Sequence, residues 1–200
     1  MNKTIYLIGD STVQCDGEPY VGWGSALDVF MPEGVSVQNH AKSGRSTKSF
    51  WNEGRFEPVQ AAMQPGDLLM ICFGHNDEKD DEERHTDPES SYPEMLMRYV
   101  EAARAAGAMP VLATSVSRCY FTGDASLMYT HGEYPRAVRD LAAREGLPLI
   151  DLNRSTRAWL TGLGEAAARA FFVEGDKTHF NRLGAETVAR MAADALRPLL

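Results

Sequence analysis

Short runs of residues with β-strand character alternate along this chain with longer stretches of helical character, and this alternation constrains the fold most strongly. The strand-like runs occupy residues 4–9, 35–40, 67–73, 109–115 and 147–152. The helical stretches cover residues 93–106, 132–145 and 181–196. Strands that are buried on both faces have near-continuous apolar sequences. The pattern therefore predicts an α/β fold with a five-stranded parallel sheet covered by helices.

Length and charge narrow the possibilities further. The 200 residues contain no internal repeat and no linker rich in Pro or Ser, so we expect a single domain over residues 1–200. The 28 acidic residues outnumber the 20 basic ones and give a net charge of -8. Because nucleic acids and anionic membrane surfaces attract basic proteins, neither is an expected partner. The sequence makes no prediction of the oligomeric state.

The three cysteines, Cys15, Cys72 and Cys119, form no C-x-x-C pair. An odd number without that spacing predicts neither a disulfide framework nor a structural zinc site. Cys72 lies in an apolar run and is expected in the core, and Cys15 is interpreted as a packing residue. The apolar stretch at the N-terminus is too short for a signal peptide, and no run of 18 apolar residues occurs. Both observations favour a cytoplasmic protein.

Residues able to carry chemistry follow the predicted strands. They lie in residues 9–12 after the first strand, 39–46 after the second, 74–77 after the third, and 176–179 before the last helix. In open parallel sheets, ligands bind outside the carboxyl ends of the strands. These four segments are therefore expected to meet at one edge of the sheet.

Together the four segments contain the parts of an acyl-transfer site. Ser11 supplies a hydroxyl nucleophile, His179 a base that can take its proton, and Asp176 a carboxylate that can orient the imidazole. The charge of a tetrahedral intermediate needs hydrogen-bond donors fixed in advance, and the N–H groups of Ser11 and Gly44 and the side chain of Asn76 offer them. We expect Ser11 at a strand-to-helix turn, where the positive helix end adds to these donors.

Each segment taken alone also has a plainer explanation. Ser11 fits an N-cap in a turn, and Asp176 and His179 fit a helix cap or a surface loop. Gly44 fits an ordinary turn glycine, and the segment around Asn76 fits a plain loop. The acyl-transfer interpretation depends on the joint placement of all four at the ends of successive strands.

In this order the segments resemble the motifs of the SGNH hydrolases: Gly-Asp-Ser near the N-terminus, an isolated Gly, Gly-x-Asn, and Asp-x-x-His near the C-terminus. A finer resemblance is to the rhamnogalacturonan acetylesterase-like branch of these carbohydrate esterases. It rests on YLIGDST (6–12), GWG (22–24), SGRSTKSF (43–50), EGRF (53–56), GDLLMICFGHND (66–77) and DKTHFNRLGAE (176–186). These segments span essentially the whole chain.

The resemblance implies a flavodoxin-like three-layer α/β/α sandwich and serine ester hydrolysis without a metal or another cofactor. The family's triad falls on Ser11, Asp176 and His179, and its oxyanion donors fall on Ser11, Gly44 and Asn76. The implied activity removes O-acetyl groups from pectin-derived or related oligosaccharides through an acyl-enzyme, with an acetylated carbohydrate as the small-molecule partner. Secreted members carry a leader and often disulfides. Neither is expected here, which favours imported oligosaccharides over an extracellular polymer.

Two other functions stay open on the sequence. A lysophospholipase or thioesterase of the same family needs an apolar channel for a long acyl chain, and the polar loops at residues 78–84 and 87–91 weigh against one. A non-catalytic module could bind a small ligand at residues 9–12, as flavodoxin-like folds bind phosphates. Phosphate binding does not require Asp176 or His179, whereas ester hydrolysis does.

Four further residues have competing interpretations. Tyr20 and Trp23 are candidates for a platform under a sugar ring, or for core or rim positions. Arg45 is a candidate for steering an acidic sugar, or for a surface ion pair. Asp10 is a candidate for the chemistry itself, but it is expected to form a hydrogen bond within the Ser11 turn instead.

Two loops stand out by composition or length. The acidic block at residues 78–84 is expected to be a solvated loop after the third strand. Residues 115–133 have little periodicity and are expected to form a long loop at the carboxyl end of the fourth strand, where long loops tend to be functional. His131 and Tyr134, in or beside this loop, receive no role from the sequence.

Overall fold

A computed structural model describes residues 3–200, with Cys15 and Asp16 described by their backbone alone. Its strands are β1 (Lys3–Gly9), β2 (Cys15–Gly17), β3 (Tyr20–Val21), β4 (Val35–Asn39), β5 (Leu68–Cys72), β6 (Met109–Ala113) and β7 (Leu149–Ile150). Its α-helices are α1 (Thr47–Asn52), α2 (Glu57–Ala62), α3 (Ser91–Ala105), α4 (Tyr134–Glu145), α5 (Leu152–Leu163), α6 (Glu165–Ala168) and α7 (Arg182–Leu196). Short 3₁₀ helices lie at Trp23–Ser25, Asp28–Phe30, Arg169–Phe171 and Arg197–Leu199.

Five strands form one parallel sheet in the order β4-β1-β5-β6-β7. Every residue of the central strand β5 is buried. β4 lies at an edge, and none of its residues is fully buried, which agrees with its mixed polar and apolar sequence. The predicted five-stranded parallel sheet is therefore confirmed. β2 and β3 form a separate antiparallel hairpin.

Side chains of the sheet alternate between two apolar clusters, one on each face. Along β1, Ile5 and Leu7 belong to one cluster, and Tyr6 and Ile8 to the other. This period of two is the one that a strand imposes. Helices α5 and α7 contribute to the first cluster, and helices α1 to α4 contribute to the second. The three-layer α/β/α sandwich is therefore confirmed.

The predicted element boundaries are correct to within two residues. The last strand is two residues shorter at each end than predicted, and only the two residues of β7 pair with β6. Pro148 has no N–H to give to the sheet. The side chain of Asp151 accepts a hydrogen bond from the N–H of Arg154, so α5 begins directly after the strand. The sequence pattern did not predict α5, nor α1, α2 and α6, which are too short to show a clear helical period.

The helix expected directly after Ser11 is wrong. The carbonyl of Asp10 accepts a hydrogen bond from the N–H of Val13 (3.1 Å), which closes a single turn. The carbonyl of Thr12 accepts instead from the N–H of Trp23 (2.9 Å), after the β2–β3 hairpin has brought the chain back. Because a distant residue occupies that carbonyl, the turn does not continue as a helix, and no helix dipole begins at Ser11.

The same return of the chain explains the GWG segment. A Cβ on Gly22 would lie 1.9 Å from the carbonyl oxygen of Gln14, so only glycine lets the two backbones approach this closely. Trp23, between the two glycines, is fully buried in the core. Of its two interpretations, the core position is correct and the sugar platform is wrong.

Candidate active site

Ser11, His179 and Asp176 form one chain of hydrogen bonds. The Oγ of Ser11 lies 3.0 Å from the Nε2 of His179. The Nδ1 of His179 lies 2.7 Å from the Oδ2 of Asp176. When Nδ1 donates its proton to the carboxylate, Nε2 directs its lone pair at the serine hydroxyl. All three residues are partly exposed, so a substrate can reach them.

Asp176 binds the backbone as well as the imidazole. Its other oxygen, Oδ1, accepts hydrogen bonds from the N–H groups of Thr178 (2.6 Å) and His179 (3.0 Å). Burial raises the pKa of Asp176, but these hydrogen bonds and the one from the imidazole outweigh it and hold the pKa below its ordinary value. The ionised carboxylate thereby fixes both the turn and the ring.

Backbone hydrogen bonds hold the segment that carries His179. The carbonyl of His179 accepts from the N–H of Val173 (3.0 Å), and the carbonyl of Phe180 accepts from the N–H of Val21 in β3 (3.0 Å). Asn181 then caps the first turn of α7 with its side-chain oxygen. The imidazole is therefore positioned by the hairpin on one side and by the start of α7 on the other.

Asp10, beside Ser11, is buried and serves its own turn. Its Oδ1 accepts hydrogen bonds from the N–H (2.9 Å) and the hydroxyl (2.8 Å) of Thr12. Burial raises the pKa of Asp10, although these hydrogen bonds act in the opposite direction. The hydrogen bond expected within the Ser11 turn is confirmed.

Asn76 lies four residues after the end of β5 and lines the same cleft as Ser11 and His179. Its Nδ2 donates one hydrogen bond to the backbone carbonyl of Arg45 at 3.1 Å. A side-chain amide carries two N–H groups, so the other is available to an oxygen in the cleft. The structure therefore places an uncharged donor, held by one hydrogen bond, in the wall of the cleft that contains the nucleophile.

Gly44 lies in a turn that is closed by a hydrogen bond from the N–H of Arg45 to the carbonyl of Lys42 (3.2 Å). Its φ of +78° lies in the left-handed region, which favours glycine. The N–H of Lys42 donates to the carbonyl of Gly9 (2.9 Å), so the turn is attached to the end of β1, two residues before Ser11. The segments of all three expected oxyanion donors therefore lie together.

Asp77, next to Asn76, is fully buried and joins its segment to the start of α1. Its Oδ1 accepts hydrogen bonds from the N–H (3.0 Å) and the hydroxyl (2.5 Å) of Thr47, and from the hydroxyl of Thr86 (2.9 Å). Burial raises the pKa of Asp77 to about 7. Because Asn76 is itself bonded to Arg45, two adjacent residues hold the two donor segments against each other.

A cleft of about 390 Å³ opens over Ser11 and His179. Its wall consists of polar and aromatic residues: Ser11, His75, Asn76, Glu78, Lys79, Arg118, Tyr120, Thr130, Thr178 and His179. Arg118, Tyr120 and Thr130 come from the long loop between β6 and α4. Sequence reasoning did not identify these three, and only the length of their loop signalled a functional role.

The acidic block is a loop, as expected, but its first residue is not solvated. Glu78 forms a largely buried ion pair with Arg118, and its carboxylate lies 3.4 Å from the Nδ1 of His131. Burial raises the pKa of Glu78, but the interactions with these two partners outweigh it and keep the pKa below its ordinary value. The ring of His75 packs edge-on against His131, with centroids 4.5 Å apart. Burial lowers the pKa of His75 well below its ordinary value, so this part of the wall is a neutral imidazole.

The structure gives positions for two other candidates, Arg45 and Tyr20. Arg45 pairs with Glu53 at 3.0 Å, so the surface ion pair is the correct interpretation. Tyr20 is 47% exposed, and its ring lies edge-on to the ring of His179, with centroids 5.7 Å apart. The packing role expected of Cys15 concerns a side chain that lies outside the described residues.

Cys72 is buried, as predicted, and burial raises the pKa of its thiol well above its ordinary value. Among the side chains that the structure describes, no group of three or more His, Cys, Asp or Glu is arranged to hold a metal ion. Over the same part of the chain, no helix has both the length and the apolar character needed to cross a membrane.

Known proteins with similar sequences agree on one family. The model of the GDSL-like lipase/acylhydrolase family matches residues 7–187. The rhamnogalacturonan acetylesterase RhgT of Bacillus subtilis (strain 168) is 38% identical, over 98% of this chain and 90% of its own length. The probable rhamnogalacturonan acetylesterase YesY of the same organism is also 38% identical, over 100% of this chain and 94% of its own length.

A solved structure shares the architecture. The crystal structure of the Bacillus subtilis protein YxiM matches with a TM-score of 0.90 at 30% sequence identity. The match covers 100% of this chain and 57% of that one, so this chain spans little more than half of that protein. By its family model, its relatives and its fold, the chain belongs to the GDSL-like lipase/acylhydrolase family, in the rhamnogalacturonan acetylesterase-like branch that its motifs resemble.

Proposed function

We propose that this chain is a serine esterase that removes O-acetyl groups from acetylated oligosaccharides, pectin-derived or related. The observation that carries the proposal is the hydrogen-bonded chain of Ser11, His179 and Asp176, of which Ser11 and His179 line a polar cleft. Relatives that match over nearly the whole chain are named rhamnogalacturonan acetylesterases, which supports an acetylated carbohydrate as the substrate.

In the first half of the reaction, the Oγ of Ser11 attacks the acetyl carbonyl carbon, and the Nε2 of His179 takes the hydroxyl proton. Asp176 holds the ring and stabilises the imidazolium that forms. When the tetrahedral intermediate collapses, the bond between the carbonyl carbon and the sugar oxygen breaks, and His179 gives its proton to that oxygen. The acetyl group stays on Ser11 as an ester.

In the second half, water attacks the acetyl ester while His179 takes a proton from the water. The new intermediate collapses with cleavage of the bond to the Oγ of Ser11, which receives the proton back from the imidazole. Acetate is released, and the free enzyme is restored.

In both intermediates the former carbonyl oxygen carries a negative charge. We assign the hydrogen bonds that stabilise this oxyanion to the side-chain N–H of Asn76 and the backbone N–H groups of Gly44 and Ser11. Because these donors are uncharged, their ability to donate hydrogen bonds does not change with pH. The bond from Asn76 to Arg45 fixes one of them before the substrate arrives. Fixed donors of this kind stabilise a transition state by about 2.7–4 kcal/mol each.

The composition of the cleft wall favours a substrate with a short acyl group. Among the described residues that line the cleft, none is Ala, Val, Leu, Ile, Met or Phe. A long acyl chain gains about 0.8 kcal/mol for each methylene that an apolar wall covers, and this cleft supplies no such wall. The polar lining therefore favours an acetyl ester of a hydroxyl-rich alcohol over a lipid or thioester substrate.

Acetate release from acetylated pectin, xylan and sialic-acid fragments tests the proposal. We expect the wild-type protein to deacetylate at least one class of fragment, and the Ser11→Ala protein to deacetylate none while keeping its circular dichroism spectrum. Hydrolysis of long-chain esters without acetate release from any fragment would assign the site to lipids. Turnover that survives in Ser11→Ala would show that the site is not a serine esterase.

A further inference from the structure

The roles assigned to the imidazole determine where the sugar must lie. His179 gives its proton to the departing sugar oxygen, so that oxygen must come within hydrogen-bond distance of Nε2, about 3 Å. The ring that carries the oxygen then lies next to the imidazole, on the side away from the oxyanion donors. The side chains that flank His179 are therefore the candidates for contact with the sugar.

One exposed aromatic ring contacts His179 directly. Tyr20 is 47% exposed, and its ring stands edge-on to the imidazole with centroids 5.7 Å apart. It lies in β3, where the next residue, Val21, donates a backbone hydrogen bond to the carbonyl of Phe180 (3.0 Å). This bond anchors the strand that carries Tyr20 to Phe180, the residue directly after His179.

A second exposed ring is anchored to the segment that precedes His179 in the chain. Tyr120 is 38% exposed and lines the cleft, and the Nζ of Lys177 lies 4.9 Å from its ring centroid. The residue before it, Cys119, donates a backbone hydrogen bond to the carbonyl of Lys177 (2.7 Å). Two separate loops, the β2–β3 hairpin and the loop after β6, thus each bring a tyrosine to the segment that carries His179.

Three tyrosines are among the exposed large apolar side chains in the described part of the chain: Tyr20, Tyr120 and Tyr129. A cation lies near the ring of Tyr120 and near that of Tyr129, where it is Arg157 at 5.1 Å. Position distinguishes them, because Tyr20 contacts His179 and Tyr120 lines the cleft, whereas Tyr129 is not among the described residues of the cleft wall. Exposed aromatic faces offer apolar area next to a polar tip, which suits a pyranose ring with C–H groups on its face and hydroxyls on its edge.

We infer that Tyr20 and Tyr120 form a subsite that binds the pyranose ring of the leaving alcohol, an inference that rests on the proposed function. The subsite contacts the sugar and not the acetyl group. It therefore contributes to the binding of sugar esters and to the release of the sugar, and it has no part in hydrolysis of the acetyl-enzyme, from which the sugar has departed.

Two acetate esters with different alcohols test the inference. An acetylated methyl pyranoside carries the ring, whereas ethyl acetate carries none, and both give the same acetyl-enzyme. We expect Tyr20→Ala and Tyr120→Ala each to raise KM for the pyranoside ester about tenfold, the loss that removal of roughly one ring face of apolar contact produces. The kcat/KM for ethyl acetate, which has no ring to contact either tyrosine, should fall by much less, so the ratio of the two kcat/KM values drops in each variant. Tyr20→Phe keeps the ring and wild-type values, and Tyr129→Ala is the matched control for loss of an exposed tyrosine.

A titration without turnover gives a second readout. The Ser11→Ala protein should bind the acetylated methyl pyranoside, and the added Tyr20→Ala change should weaken that binding by a similar factor. Equal losses on both esters would make Tyr20 a support for His179 and overturn the inference. Unchanged KM and unchanged binding in both alanine variants would overturn it as well. Failure of the proposed function is distinguishable, because the wild-type protein would then release no acetate from the pyranoside.

Discussion

The side-chain amide of Asn76 donates a hydrogen bond to the backbone carbonyl of Arg45 over 3.1 Å. The two residues lie after different strands, β5 and β4, and the bond spans 31 positions of the chain. Arg45 directly follows Gly44, so the bond joins the two segments that we assign to the oxyanion. The donors are therefore fixed relative to each other in the free protein, and their alignment costs little when charge develops.

Ser11→Ala is expected to lower kcat on an acetate ester by at least about 10³-fold, because triad residues act as a unit and the remaining groups retain only residual catalysis. The change removes one partly exposed hydroxyl, so the melting temperature should shift little. Steady-state kinetics with a thermal melt checks both expectations. Ser36→Ala, an exposed serine of β4, should leave the rate unchanged. A Ser11→Ala protein that retains the wild-type rate would remove the nucleophile from our scheme.

Asn76→Ala is expected to lower kcat by about 10²–10³-fold with KM nearly unchanged, since one oxyanion donor acts only when charge develops. Steady-state kinetics on an acetate ester, with kcat and KM determined separately, is the measurement. Asn52→Ala, at the exposed end of α1, serves as the control amide. If KM rises while kcat holds, Asn76 binds the substrate in its ground state, and the oxyanion assignment is wrong.

Asp176→Asn is expected to lower kcat by about 10⁴-fold, and His179→Ala by about 10⁶-fold, because the base is needed for every proton transfer whereas its orienter acts through it. The amide oxygen of the variant can still accept from the N–H groups of Thr178 and His179, so the turn persists. Full activity in Asp176→Asn would reduce the triad to a dyad of Ser11 and His179.

Asp176→Asn is also expected to change how the free energy of unfolding depends on pH. The pKa of Asp176 is lowered in the folded state, so its ionised form stabilises the fold above the ordinary value of 3.8, and this contribution is lost as the pH falls through the folded value. The free energy of unfolding from urea titrations should therefore differ most between wild type and variant near neutral pH. The difference should shrink below about pH 4. A constant difference at all pH values would contradict this expectation.

Asp77→Asn is expected to show the opposite pH dependence. Burial raises the pKa of Asp77 from 3.8 to about 7, and its Oδ2 has no hydrogen-bond partner in the described structure. Between these values the folded state holds a proton that the unfolded chain has lost, so the wild-type free energy of unfolding falls as the pH rises. The amide does not ionise. Relative to wild type, the variant should gain stability from pH 4 to pH 7, by roughly 4 kcal/mol at most for the shift from 3.8 to about 7.

Urea titrations at several pH values within this window compare the two Asp77 proteins. Groups that titrate alike in both proteins cancel in the difference, so the slope of the difference reports on Asp77. Parallel curves for wild type and variant would show that the Asp77 carboxyl is ionised in the folded protein throughout the window.

Acyl chain length is expected to decide between the enzyme alternatives. In a cleft without an aliphatic wall, added methylenes clash or stay in water, and each one that clashes loses about 1–3 kcal/mol. The kcat/KM of nitrophenyl esters should therefore fall from acetate to butyrate, with octanoate nearly inert. A rate that rises along this series would favour the lysophospholipase or thioesterase.

The strand pattern and the order of the four polar segments could both be predicted, because each depends on short stretches of sequence. Apolar runs identify the strands since a buried strand needs apolar residues on both faces. That the segments of Ser11, Gly44 and Asn76 lie together follows from a parallel sheet, whose strands all end at one edge. His179 follows no strand of that sheet, and the β2–β3 hairpin and the start of α7 bring it to 3.0 Å from Ser11. Sequence reasoning missed α1, α2 and α6 because a helix of one or two turns has too few residues to show its period.

Which side chains face the cleft was decided by the tertiary structure alone. Tyr20 and Trp23 are three residues apart and equally aromatic, yet Trp23 is fully buried while Tyr20 is 47% exposed against His179. Glu78 begins an acidic block that looks solvated, but Arg118, 40 positions away, pairs with it inside the cleft wall. Hydropathy and charge describe a residue and its neighbours in the chain. Burial and ion pairing depend on which distant residues fold against it, and only the assembled sheet, hairpin and loops determine that.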